Sequence, residues 1–218
     1  MPRPLLVLTV YVVTSSGGVP GRGHAEVAAG AIAGGANAIQ LRSMEHGDDE
    51  LLPLARELAD RCRERGVLFI VNDRVDLAIA AGAAGVHLGQ DDDWASARER
   101  LGPGPVLGVS VETVEQAEAA AEAGADYLGV TVWPTETKPE ATPHGLERVA
   151  EIAAAVDVPL VGIGGITAVN ARQVLDAGAA GVAVISAVGA APDPAEATRA
   201  LVRAVRGTAG TPPRAVGR

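Results

Sequence analysis

At residues 69–76 the chain reads FIVNDRVD: three apolar residues suited to a buried strand, then at once an amide and a carboxylate, Asn72 and Asp73. A second acid follows the run GVHLG in the same way. The segment GQDDD at 89–93 offers Asp92 beside Gln90 and Asp91. Two carboxylates held close together repel unless a cation sits between them. With no Cys and no rim His beside them, these hard oxygen donors suit Mg2+, which takes one or two carboxylates and completes its shell with substrate phosphate and water. Each acid also has an ordinary role open to it. Asp73 would cap the helix begun by RVDLAIA, and Asp91–Asp93 would form the acidic first turn of the next helix. The metal gains weight because both acids recur at equivalent places.

Lys138 is the single lysine among eighteen cationic residues, the other seventeen being arginines. Its setting, PTETKP, gathers Thr135, Thr137 and a compact ammonium on one loop, which is what a cluster of pyrophosphate oxygens needs. A solvated loop lysine is the plainer alternative. Farther along, GIGGI (162–166) and VISA (184–187) offer glycine amides and a helix start, which cradle a phosphate without side-chain charge. A single glycine there would equally serve a tight turn. His87 alternates within its strand and reads as packing, and His24, His46 and His144 fall in loops or at helix starts. No Ser-His-Asp or Cys-His set appears.

These residues need elements to hold them, and a repeat supplies those. GGANAIQLR (34–42), AGAAGVHLG (81–89), AGADYLGV (123–130) and AGAAGVAVI (177–185) each end an Ala-rich helix on Gly and continue into an apolar strand. Four further runs, at 7–13, 67–72, 105–110 and 159–164, complete eight strands, apolar throughout as when both faces are buried. Amphipathic stretches at roughly 24–33, 48–65, 75–81, 94–101, 112–123, 144–155, 168–177 and 193–206 alternate with them. Strict alternation implies parallel strands, and eight units in a chain of 218 residues match a single-domain α/β protein, a (β/α)8 TIM barrel over 1–206. An open doubly wound sheet is the other option, but no G-x-G-x-x-G follows the first strand. The tail 207–218 is expected to be disordered. In a barrel the chemistry sits past the strand C-termini. There the chain presents Gln40, Arg42, Asn72, Asp73, Asp92, Ser110, Thr135, Thr137, Lys138, Gly164, Gly165, Ile185 and Ser186.

Bulk composition narrows the partners. The net charge is −9 and the basic residues are scattered, which excludes a nucleic-acid footprint and an anionic membrane surface. Cys62 is the only cysteine, so no internal disulfide and no multi-cysteine metal site exists. The start MPRPLLVLTVYVV imitates a signal peptide, but its Val and Thr content, and the lack of an A-x-A-like site, read as the first strand of a cytoplasmic enzyme.

Taken in order and spacing, AIQLR, VNDRVDLA, GVHLGQDD, LGVS, PTETKP, VGIGGIT and GVAVISA resemble the thiamine phosphate synthase (thiamine-phosphate pyrophosphorylase) family, from about residue 7 to 188. The resemblance implies a (β/α)8 barrel that uses Mg2+ and takes small phosphorylated substrates. It would join 4-amino-2-methyl-5-hydroxymethylpyrimidine diphosphate to 4-methyl-5-(2-phosphoethyl)thiazole or its carboxylate form, giving thiamine monophosphate and pyrophosphate. It implies that Asp73 and Asp92 hold Mg2+, while Asn72, Arg42, Thr135, Thr137 and Lys138 bind the diphosphate or position the pyrimidine. Gln40 and Ser110 would contact the pyrimidine, and the backbone at Gly164–Gly165 and Ile185–Ser186 would take the thiazole phosphate. Catalysis would fall mainly to Lys138, Arg42 and Ser110.

The chain departs from that pattern in three places. RSMEHG sets Met44 where the family carries a lysine two residues after the arginine, GVTVWPTETK is one residue shorter than the common form, and TSSGG replaces the acid after the first strand. Two rival readings accompany the resemblance. One is a thiazole tautomerase, which relies on a His in the loop after the sixth strand, where this chain reads VTVWPT. The other is a non-catalytic binder of thiamine precursors. The oligomeric state is not written in these residues.

Overall fold

The computed structural model describes residue 6 and residues 8–15, 21–135 and 142–207. Its strands are β1 (Val10–Thr14), β2 (Ala38–Leu41), β3 (Leu68–Asn72), β4 (Gly85–Leu88), β5 (Val106–Ser110), β6 (Tyr127–Thr131), β7 (Leu160–Ile163) and β8 (Gly181–Val184). Between and after them run α1 (His24–Gly34), α2 (Asp48–Glu64), α3 (Val75–Ala81), α4 (Trp94–Leu101), α5 (Val114–Glu122), α6 (Gly145–Ala155), α7 (Ala171–Asp176), α8 (Ser186–Gly189) and α9 (Pro194–Arg206). The strands are parallel and pair in chain order, and β8 returns to β1 to close the barrel. The expected (β/α)8 barrel is the observed one. Residues 136–141, which include Thr137 and Lys138, and the tail beyond Gly207 lie outside the described residues.

Glycine makes the repeated helix-to-strand turn. After α1, Gly35 takes φ 94°, so that its amide reaches back to Ala31 and Ile32 while Ala36 N donates to Ala31 O. Gly82 does the same after α3 at φ 65°, a conformation that costs glycine little and other residues more.

The two faces of each strand feed two cores. Val10 and Val12 point outward into the layer between sheet and helices. Tyr11 and Val13 point inward, where they join Ala38, Ile70, Tyr127, Val161 and Ala183 inside the barrel. That alternation is the period of two of a pleated strand, hidden in the sequence because both faces are apolar. Glycines on the strands open the space the inward rings need. A Cβ on Gly108 would lie 2.1 Å from the Tyr127 ring, so β5 has no side chain where β6 inserts its tyrosine.

At the opposite, N-terminal end, Arg98 pairs with Asp126 at 2.6 Å and donates to the carbonyls of Gly102, Pro105 and Gly124. Asp126 also accepts from Leu107 N at 2.8 Å. This ion pair ties the starts of β5 and β6 together, far from the chemistry, where conserving structure is the only demand on a barrel. Cys62 is buried on the inner side of α2, and burial pushes its thiol up to about 11, leaving an inert packing residue.

Two boundaries and one element differ most from expectation. The first strand begins at Val10 and runs to Thr14, whose hydroxyl is buried and donates to Gln40 O at 3.0 Å. The stretch expected as a helix from 168 starts only at Ala171, because Asn170 Oδ1 accepts from Thr167 N at 2.7 Å and holds a turn instead. The helix start expected at VISA is a separate four-residue element, α8, ahead of α9.

Candidate active site

A cavity of about 680 Å3 opens at the C-terminal ends of the strands. Its walls carry, among others, Gln40, Arg42, Asn72, Asp73, Asp92 and Ser110 on the β2–β5 side, and Thr135, Gly164, Gly165, Ile185 and Ser186 on the β6–β8 side. Every expected site residue within the described part of the chain therefore faces one space. Thr137 and Lys138 lie outside the described residues.

The acidic wall answers the alternatives left open for its residues. Asp73 does not cap α3; the position before that helix is Arg74, and no side chain caps it. Instead Asp73 is the one described non-glycine residue at positive φ, 61°, at the centre of a three-residue turn closed by Arg74 N donating to Asn72 O at 2.8 Å. Its own amide donates to His87 O across the β3–β4 junction at 2.8 Å. Such a conformation costs about 1–3 kcal/mol, and it survives where the surroundings over-determine it. Here it aims a carboxylate at the cavity mouth, with Asn72 Nδ2 donating to Asp73 Oδ2 at 2.6 Å. On the neighbouring strand end, Asp93 caps α4 by accepting from Ser96 N at 3.0 Å. Capping is thus Asp93's work, and Asp92 is spared for the cavity, its Oδ2 accepting from Gly89 N at 2.7 Å. Trp94 Nε1 pins that loop through Gly89 O at 2.8 Å.

Among the described residues no three His, Cys, Asp or Glu side chains are grouped to hold a metal. Two carboxylates on one cavity wall still fit Mg2+, because that ion is commonly bound through one or two protein carboxylates and ligand phosphate rather than in a cage of protein ligands.

The β7–β8 side has the features of an anion cradle. Gly164 and Gly165 follow β7 at φ 89° and 63°. A Cβ on Gly164 would lie 2.7 Å from Trp133 O, and one on Gly165 would lie 2.9 Å from Trp133 Cβ. Only glycine fits this turn; Asn170 Nδ2 donates to Gly165 O at 2.9 Å, and both glycines line the cavity wall. α8 begins beside it with Ile185 before the first turn and no side-chain cap. Backbone amides left uncapped at a helix start favour a phosphate.

Tyr11, His87 and Tyr127, none of them an expected site residue, also line the cavity and are joined to two that are. Gln40 Nε2 donates to Tyr11 OH at 2.6 Å, and Tyr11 OH and Tyr127 OH are 3.0 Å apart. Tyr127 OH meets His87 Nδ1 at 2.9 Å, and His87 Nε2 meets Ser110 Oγ at 3.0 Å. His87 packs in the barrel as expected, yet it also lines the cavity. A signal did exist, since these are the only two tyrosines in a chain with 2% aromatic residues. Burial holds both phenols well above their usual pKa, so both stay protonated donors.

Met44 lies on the same wall and is 73% exposed, at the position where a lysine was expected. Residues 132–135, which follow β6 directly, hold no histidine; the one described histidine between β6 and α6 is His144, whose amide donates to Thr131 O at 3.0 Å. His144, at the start of α6, has its Nε2 3.9 Å from Glu112 Oε2.

Barrel and cavity together define a class: a single parallel (β/α)8 barrel whose C-terminal mouth pairs an acidic wall with a glycine-built anion cradle. The family model described as thiamine monophosphate synthase matches residues 10–188. A thiamine-phosphate synthase from Roseiflexus castenholzii is 51% identical over 195 residues, covering 88% of this chain and 86% of that protein. One from Haloarcula marismortui is 50% identical over 202 residues, covering 90% and 96%. Among solved structures, a thiamine phosphate pyrophosphorylase from Pyrococcus furiosus superposes with a TM-score of 0.83 at 41% identity, covering 91% of this chain and 96% of that one. The chain belongs to the thiamine monophosphate synthase family.

Proposed function

We propose that the chain condenses 4-amino-2-methyl-5-hydroxymethylpyrimidine diphosphate with the thiazole phosphate, releasing pyrophosphate and forming thiamine monophosphate. The observation that carries this reading is the single cavity with an acidic wall at one side and an uncapped glycine-rich cradle at the other. Two phosphorylated substrates need two anion sites, and one of them, a diphosphate, needs more charge neutralised than amides supply.

The residues divide the work accordingly. Asp73 and Asp92 would hold Mg2+, which supplies charge neutralisation to the diphosphate as it leaves. Asn72, Arg42, Thr135, Thr137 and Lys138 bind the same diphosphate, and Gln40 and Ser110 orient the pyrimidine. The amides at Gly164–Gly165 and Ile185–Ser186 take the thiazole phosphate. The pyrimidine-methylene C–O bond breaks with its electron pair going to pyrophosphate. The thiazole nitrogen then gives its lone pair to the carbon, and no proton has to be removed. Inward-facing Val13, Val161 and Ala183 keep the β1, β7 and β8 side of the barrel floor apolar, so that the thiazole rather than water meets the cation. Preorganised charge around the leaving group carries most of the rate.

Met44 gives a specific test of the diphosphate wall. It faces the cavity where a cation would add to Arg42. Met44→Lys is therefore expected to lower KM for the pyrimidine diphosphate with turnover little changed, measured by steady-state kinetics. An unchanged or raised KM would mean that the loop after β2 does not reach the diphosphate.

The reading as a whole is tested by mixing the purified chain with both substrates and identifying the product. Thiamine monophosphate formed catalytically supports it, whereas tight binding of the thiazole phosphate without product would leave a precursor-binding protein. A tautomerase is disfavoured by VTVWPT, which offers no histidine as its acid–base group.

A further inference from the structure

We propose that Gln40, Tyr11, Tyr127, His87 and Ser110 form a hydrogen-bond relay of fixed direction, in which His87 is a positioning residue that turns the Ser110 hydroxyl into a donor toward the cavity. The direction is set by the Gln40 amide, whose Nε2 faces Tyr11, and is passed on by counting hydrogens from there. Gln40 Nε2 donates to the Tyr11 oxygen at 2.6 Å. Tyr11 has one hydrogen of its own, and the Tyr127 oxygen 3.0 Å away is its acceptor. Turning it away would break the buried bond between the two phenols, which costs free energy. Tyr127 has then accepted, so its hydrogen goes to His87 Nδ1 at 2.9 Å. A neutral imidazole carries one hydrogen, and with Nδ1 accepting, that hydrogen is on Nε2. Nε2–H donates to Ser110 Oγ at 3.0 Å, and the serine hydrogen is directed to an acceptor in the cavity.

Packing removes the other freedoms. The His87 and Tyr127 rings stack with centroids 5.4 Å apart and planes 27° apart, and Tyr11 meets Tyr127 edge-on at 6.0 Å. The floor is shaped to these rings: a Cβ on Gly108 would strike Tyr127, and one on Gly129 would come within 3.2 Å of His87 Cε1. Both tyrosines are buried and remain phenols, so neither link is lost through ionisation. With the rings immobile, only the order of hydrogens can vary. It varies all at once, because turning the Gln40 amide over would reverse every bond and make Ser110 an acceptor.

The consequence is selectivity by hydrogen-bond sense. The Ser110 end offers a donor, and the Gln40 end offers its carboxamide oxygen as an acceptor. A ligand with an unprotonated ring nitrogen and an exocyclic amine matches both; one with those groups exchanged does not. This choice of ligand atoms rests on the reading of the cavity as a pyrimidine site, but the relay's direction does not.

The test is nitrogen NMR on 15N-histidine-labelled protein without substrate, at neutral pH, with the His87 signals identified by their loss in His87→Gln. The expected result is the neutral Nε2–H tautomer in the wild-type chain. Tyr127→Phe, which keeps the ring but removes the donor to Nδ1, should give a mixture of tautomers. Tyr11→Phe should do so more weakly, and provides a second variant if the first does not fold. Turnover of Tyr127→Phe should fall roughly tenfold, as for loss of one hydrogen bond in the reacting complex, with KM moving less than kcat. A wild-type His87 in the Nδ1–H form, or doubly protonated, or a tautomer indifferent to both tyrosine variants, would overturn the relay. A wild-type chain that shows the Nε2–H tautomer but no turnover would instead overturn the assigned reaction and leave the relay standing.

Discussion

Replacing Asp92 with alanine is expected to abolish Mg2+-dependent turnover while the barrel stays folded and still binds the thiazole phosphate. The carboxylate caps no helix, since Asp93 does that. Its one backbone contact, to Gly89 N, sits in a loop already pinned by Trp94. The structural cost of losing it is therefore small. The catalytic cost is large, because metal neutralisation of a departing phosphate is worth several kcal/mol, on the order of a thousandfold in rate. Turnover at saturating substrate, measured across a Mg2+ titration, reads this directly. Unchanged activity with unchanged metal dependence would remove Asp92 from the metal site. Asp73 would then have to be tested alone.

Lys138 should come next in magnitude. It is the one lysine against seventeen arginines, so a compact ammonium persists where this chain otherwise uses the planar guanidinium. Removing a charge-assisted contact that strengthens as pyrophosphate departs costs on the order of 2–4 kcal/mol. Lys138→Ala is thus expected to lower turnover by roughly a hundredfold or more. Lys138→Arg should recover only part of the loss, and the thermal midpoint should hardly move in either variant. Full activity in Lys138→Arg would sink the argument from its solitude, and full activity in Lys138→Ala would take the residue out of the site.

The sequence carried the barrel and most of the cavity wall for one physical reason. Parallel barrels repeat a local unit, and each Gly-Ala turn, as at Gly35 and Gly82, is written in consecutive residues. The C-terminal strand ends then follow by counting, which is how Asp73, Asp92, Ser110 and Gly164 were found together. What could not be read depends on closure. Tyr11 and Tyr127 are separated by 116 positions and meet only because β1 and β6 face one another inside the barrel. Within its own segment Tyr127 looks like any apolar strand residue. The strained turn at Asp73 was equally hidden, because a positive φ at an aspartate is imposed by its neighbours rather than by its type. α8 has four residues, too few to show a helical period at all.

The most direct measurement of the central claim is the stoichiometry of a single reaction mixture. Purified chain, pyrimidine diphosphate and thiazole phosphate are combined with Mg2+ or with a chelator, and thiamine monophosphate and pyrophosphate are quantified over time. Both products are expected in equal amounts over multiple turnovers, and the chelator is expected to stop both together. Binding of both substrates with no product in either mixture, or product formed equally well in the chelator, would contradict that claim.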